Sequence, residues 1–90
     1  MKYFDWNADK NILLQTERDV CFEDVLVSIN ENRLLDIVQN PNSKKYPDQK
    51  IFVININNYA YLVPFIETDS IIFLKTIIPS RKATKDYLIK

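Results

Sequence analysis

The clearest periodic signal in the chain is a stripe. Phe22, Val25, Leu26 and Ile29 recur at i, i+3, i+4 and i+7, one face of an α-helix. Cys21-Phe22-Glu23-Asp24 opens this helix with acidic residues in the first turn, where the helix dipole favours them, and Asn30-Glu31-Asn32 ends it. Upstream, Lys2-Tyr3-Phe4 reads as a short strand. Asp5 or Asn7 can then cap a first helix running to about Arg18, with Ile12, Leu13 and Leu14 on its apolar side and Trp6 anchoring its entry. After the second helix the period changes. Leu34 to Val38 reads as a strand leading into a polar loop, residues 39–49, that carries Pro41 and Pro47. Ile51–Ile56, Tyr59–Ile66 and Ile71–Ile78 are β-rich runs joined by Asn57-Asn58 and Glu67-Thr68-Asp69-Ser70, which predicts an antiparallel meander.

Alternation along the second run places Tyr59, Tyr61, Val63 and Phe65 on one face and Ala60, Leu62, Pro64 and Ile66 on the other. Pro64 cannot donate to a ladder, so a bulge or an edge position is expected there. The pattern predicts an α+β domain with two helices packed on an antiparallel sheet of about four strands. Two helices cover one face of such a sheet, yet Ile71-Ile72-Phe73-Leu74-Lys75-Thr76-Ile77-Ile78 is apolar on both. Either the C-terminal segment, through Tyr87, Leu88 and Ile89, folds back as a second cover, or a partner protein does.

Composition narrows this further. Ninety residues, 47% of them hydrophobic, support one small core and one domain spanning the whole chain. There is no Gly where average usage gives about six, while nine Asn are present, several where turns are needed. Asn tolerates the left-handed region better than other residues with a Cβ, although a base composition rich in A and T would also favour it. There is no His, so no imidazole of this sequence can act as base or metal ligand, and the single Cys21 makes no intrachain disulfide and no zinc site. The start lacks an apolar signal segment and no apolar run nears the ~20 residues of a membrane span, so a cytoplasmic location without membrane contact is expected.

The formal net charge of +0 hides a gradient. Residues 1–37 hold four basic and eight acidic side chains, whereas residues 68–90 hold five basic (Lys75, Arg81, Lys82, Lys85, Lys90) and two acidic. The basic end reads either as a phosphate-facing patch or as a solvated terminus. Lys44, Lys45 and Tyr46 read as a solvated loop in preference to a nucleic-acid contact, and no helix is basic enough to serve as a DNA recognition helix.

Three blocks carry a resemblance. Phe4-Asp5-Trp6 is followed by Lys10, Val20-Cys21-Phe22-Glu23-Asp24 begins the second helix, and Ile77-Ile78-Pro79-Ser80-Arg81-Lys82-Ala83-Thr84 stands near the end. In that order the chain resembles the BrnT family of ribonuclease toxins, whose blocks read aromatic-acidic/polar-Trp with Lys four positions on, Val-Ser-Phe-Glu-(Glu/Asp) and Ile-Ile-Ser-Ala-Arg-Lys-Ala-Thr. Two departures accompany it. Glu17-Arg18-Asp19 stands where the family has Lys-His-Gly, and Thr76 stands where the family often has an Arg.

The resemblance implies a RelE-like fold and the toxin of a type II toxin-antitoxin system, neutralised by a cognate antitoxin in a hetero-oligomer. Its implied activity is cleavage of RNA, on or off the ribosome, without a metal or other cofactor. The ribose 2′-oxygen attacks the adjacent phosphorus, and preorganised cations stabilise the developing charge. Arg81 matches the family's motif position and is the first candidate for that role, with Lys82 and Lys75 next. Tyr59, Tyr61, Lys85 and Arg18 are candidate RNA contacts, the tyrosines by stacking on bases unless they are ordinary half-buried strand aromatics. Glu67 could act as a base or be solvated surface charge, and Cys21 replaces the family's capping Ser. The alternative is a catalytically silent relative that keeps the fold and serves as an interaction or regulatory module.

Overall fold

The computed structural model describes residues 2–89 except Ser43, Tyr46 and Pro47, so Tyr46, Pro47 and Lys90 of the sequence reading lie outside the described residues. The element order is β1 (Tyr3–Trp6), α1 (Ala8–Arg18), α2 (Phe22–Asn30), β2 (Leu34–Gln39), β3 (Gln49–Ile56), β4 (Tyr59–Glu67), β5 (Ile71–Leu74), β6 (Ile78–Pro79) and α3 (Arg81–Tyr87). The α+β class and the antiparallel β3-β4-β5 meander are as expected. The strand count is not. The sheet has six strands in the order β1-β5-β4-β3-β2, with β6 also paired to β4, and it is mixed because β1 runs parallel to β5. The first strand supplies backbone partners to the outer side of β5, which the local pattern of apolar residues does not reveal.

Nor is Ile71–Ile78 one strand. Leu74 pairs with Phe65 and Ile78 with Leu62, so Lys75, Thr76 and Ile77 stand against only Val63 and Pro64. This is a bulge with one extra residue, and it falls where Pro64 offers no N–H. The Pro64 carbonyl accepts instead from the Lys75 N–H at 2.8 Å. Because the extra residue shifts the alternation, Leu74 and Ile77 both enter the core beneath the helices.

That core joins Leu14, Val20, Phe22 and Val25 to Ile54, Val63, Phe65 and Leu74, among others. Each fully buried side chain of this kind contributes about 1.5–3 kcal/mol. Trp6 stacks on Phe22 with centroids 5.6 Å apart, and Phe52 stacks on Phe65 at 3.9 Å. The two helices meet at Asn11. Its Oδ1 accepts from the Phe22 N–H at 2.7 Å and its Nδ2 donates to Glu23 at 2.7 Å, while Asp24 accepts from the Cys21 N–H at 3.0 Å. Asn11 therefore caps the helix that Cys21 begins.

Among the described residues four have positive φ: Asp19 at 56° ends α1, Asn32 stands at 62°, and Asn57 and Asn58 stand at 55° and 64° in the β3–β4 hairpin. Two consecutive left-handed residues are what a type I′ turn requires. The opposite face of the sheet is covered by the C-terminal segment, folded as α3. Ala83, Tyr87 and Leu88 pack with Val53, Ala60 and Leu62 as a second core, while Ile89 stays exposed. The short basic C-terminal segment of the sequence reading is thus a helix, and it covers only part of its face.

Candidate nucleic-acid interface

The backbone of β4 fixes where α3 sits. Past the end of β6, Ala60 would have unpaired buried backbone groups, and α3 supplies both partners. The Ser80 N–H donates to the Ala60 carbonyl at 3.0 Å, and the Thr84 hydroxyl accepts from the Ala60 N–H at 2.9 Å while donating to the Ser80 carbonyl at 2.8 Å. Ser80 Oγ caps the helix by accepting from the Ala83 N–H at 3.0 Å. At the far end the Tyr87 hydroxyl donates to Asp36 on β2 at 2.6 Å. That bond holds the Asp36 carboxyl below its ordinary range, with the Ile37 N–H adding to the effect, and pushes the Tyr87 phenol up.

With Ala83, Thr84 and Tyr87 turned inward, the remaining arc of α3 is solvent-facing and carries Arg81, Lys82 and Lys85, all exposed. Lys85 lies four residues after Arg81 and three after Lys82, so the three cations share one side of the helix. Lys75 belongs to the same face of the sheet. Its Nζ stands over the Phe73 ring at 5.7 Å from the centroid, and Phe73 pairs with Ile66, whose side shares the α3 face with Leu62.

The other candidates are on the opposite face. Tyr61 packs against the helix-side core, with Tyr59 edge-on to it at 5.6 Å and 67°. Arg18, at the end of α1, donates from Nη1 to the Ile77 carbonyl at 2.5 Å and so ties the helix layer to the bulge. The structure therefore gathers Arg81, Lys82 and Lys85, adds Lys75 on the same side, and separates Tyr59, Tyr61 and Arg18 from them.

Charge follows the same division. The helix layer and the turn after it carry Asp9, Glu17, Asp19, Glu23, Asp24 and Glu31 against Lys10, Arg18 and Arg33, which pairs with Glu31, whereas α3 presents three cations against Asp86. Glu67 is paired with Lys2, which holds its carboxyl below the usual range and weakens it as a base. Burial pushes the Cys21 thiol up, with Asp24 and Glu23 beside it, so it is a poor thiolate. Among the described residues no three Cys, Asp or Glu are grouped to hold a metal ion, and no helix is long and apolar enough to cross a membrane.

Fold and site together define a class: a small α+β domain whose mixed sheet separates an acidic two-helix layer from a basic C-terminal helix. No protein-family model, no curated protein and no solved structure matches the chain. Sequence reasoning missed the exposed Tyr3 and the half-buried Phe73 as aromatics on the basic side. The spacing of Phe73 and Lys75, two residues apart with Lys75 just past the end of β5, is the signal that carried it.

Proposed function

We propose that this protein is a RelE-like, BrnT-like ribonuclease toxin of a type II toxin-antitoxin system, acting in the cytoplasm and neutralised by a cognate antitoxin. The observation that carries the reading is the charge division across the sheet, with Arg81, Lys82 and Lys85 on one exposed arc of a helix fastened rigidly to β4. Such an arc suits a polyanion, and Arg81-Lys82-Ala83-Thr84 belongs to the block that resembles the family's.

In the proposed reaction the 2′-oxygen of a ribose attacks the adjacent phosphorus, its proton passing to a base, and the 5′-oxygen of the next nucleotide leaves as it takes up a proton. A 2′,3′-cyclic phosphate and a 5′-hydroxyl result. Arg81 binds the non-bridging oxygens bidentately and stabilises the charge that builds on them, with Lys82 and Lys75 adding to the field. Lys85 extends the phosphate track along α3.

The test is inducible expression in a bacterial host of wild type beside Arg81→Ala, following growth and total RNA integrity. Arrest with RNA loss in the wild type alone supports the reading. Normal growth with intact RNA at matched soluble expression overturns it. One observation favours the second reading, a silent interaction module: at the position of the family's His stands Arg18, whose guanidinium is engaged with the Ile77 carbonyl.

A further inference from the structure

We propose that the part of the sheet left open beside α3 is a stacking platform for the bases of single-stranded RNA, built from Phe73 and Tyr3, with Lys75 joining it to the cations of α3. This rests on the reading of the protein as RNA-binding and says where the bases go.

Alternation sets the two faces of β1. Phe4 and Trp6 of β1 pack with the helix-side core, so Tyr3 and Asp5 point to the other face. Tyr3 pairs with Ile71 and Asp5 with Phe73 in the parallel β1–β5 ladder, which makes Tyr3 and Phe73 diagonal neighbours on the face that carries α3. α3 reaches Val53, Ala60 and Leu62 but not this corner. Tyr3 is 71% exposed and Ile71 36%. The Lys75 ammonium already lies over the Phe73 ring, so a phosphate drawn to Lys75 brings its base to that ring. The nearby carboxylate of Asp5 is turned to the Trp6 N–H at 2.8 Å.

A strand added by a protein partner is a poorer occupant, because both outer strands use a carboxylate on a backbone donor. Asp5 takes the Trp6 N–H, and Asp36 takes the Ile37 N–H at 2.8 Å. Basic residues beside an exposed ring, Tyr3, and a half-buried one, Phe73, on a sheet face suit single-stranded nucleic acid, whose phosphates and bases engage the two in turn. The same reasoning removes Tyr59 and Tyr61 from the stacking role, since they lie across the sheet from the basic helix.

The experiment titrates the full chain into a single-stranded 2′-O-methyl RNA decamer, which cannot be cleaved, carrying one central 2-aminopurine. Wild type quenches the fluorophore and binds with a steep salt dependence. Tyr3→Ala and Phe73→Leu, each confirmed folded by circular dichroism, weaken binding about 5- to 150-fold and reduce quenching at saturation, with the salt dependence unchanged. The triple change Arg81→Ala, Lys82→Ala, Lys85→Ala flattens the salt dependence instead. If both ring variants bind and quench like wild type while the triple variant loses affinity, the platform is overturned and the RNA reading stands. If wild type binds no RNA at low salt, both fall. Tyr3 lies on the surface, so its variant decides the matter even if Phe73→Leu fails to fold.

Discussion

The Tyr87 hydroxyl donates to the Asp36 carboxylate at 2.6 Å across 51 positions of sequence, joining the last turn of α3 to an outer strand. The bond is strongest with an ionised Asp36 and needs a protonated Tyr87, which bounds its full strength in pH on both sides. Asp36 has its pKa lowered in the fold, so its contribution is present above about 4, where the unfolded carboxyl titrates, and is lost as pH falls through the lower folded value. Tyr87 has its pKa raised, so its contribution is full below about 10 and is lost as pH rises through the folded value. The thermal midpoint of wild type should therefore exceed that of Tyr87→Phe by a constant margin from pH 5 to 9, and the margin should close in acid. A margin independent of pH down to pH 2 would show that the hydroxyl acts by packing alone.

Thr84 tests how α3 is fastened. Thr84→Val keeps the shape but leaves the buried Ala60 N–H short of a partner, while the Ser80 carbonyl keeps the Thr84 backbone N–H at 3.0 Å. The expected loss is about 1–3 kcal/mol of unfolding free energy in a urea titration. Thr84→Ser, which keeps the hydroxyl, should recover most of it. A Thr84→Val variant as stable as wild type would show that the hydroxyl does not fasten α3.

Much of the fold was legible because it is local. The α2 stripe has helical spacing, and the faces of β4 follow from strict alternation, as Ala60 and Leu62 in one core and Val63 and Phe65 in the other bear out. The Asn57-Asn58 turn was readable because few residues tolerate positive φ. What escaped was long-range. The extra residue at Lys75–Ile77 depends on how β4 pairs, and the parallel placement of Tyr3–Trp6 beside β5 depends on where two helices and three further strands bring the chain back. The candidate site divided for the same reason. Arg81, Lys82 and Lys85 sit within one helix and were found together, whereas setting Tyr59 and Tyr61 beside them required knowing which face α3 would cover.

The hairpin gives a third measurement. Asn58 holds φ at 64°, where a Cβ without a polar side chain is penalised, so Asn58→Ala should cost about 1 kcal/mol in the same urea titration. Asn58→Gly should cost nothing, since glycine enters this region freely. A loss with Gly as large as with Ala would mean that the Asn side chain itself, not its backbone tolerance, holds the turn.

Arg18 and Arg81 are both exposed arginines that sequence alone offers for RNA contact, and the structure separates their jobs. Arg18 bonds the Ile77 carbonyl at the bulge, whereas Arg81 opens the solvent-facing arc of α3. Arg18→Ala should therefore lower unfolding free energy by about 1 kcal/mol, the ordinary net value of one hydrogen bond, and reduce RNA cleavage only as the folded fraction falls. Arg81→Ala should stay within about 0.5 kcal/mol of wild type and abolish cleavage. Urea titration and cleavage of a labelled RNA, run on both variants at a temperature where each is fully folded, measure the two effects independently. If Arg18→Ala proved fully stable yet inactive, its guanidinium would contact the RNA directly, and the functional surface would extend over the edge of β6 to the helix side of the sheet.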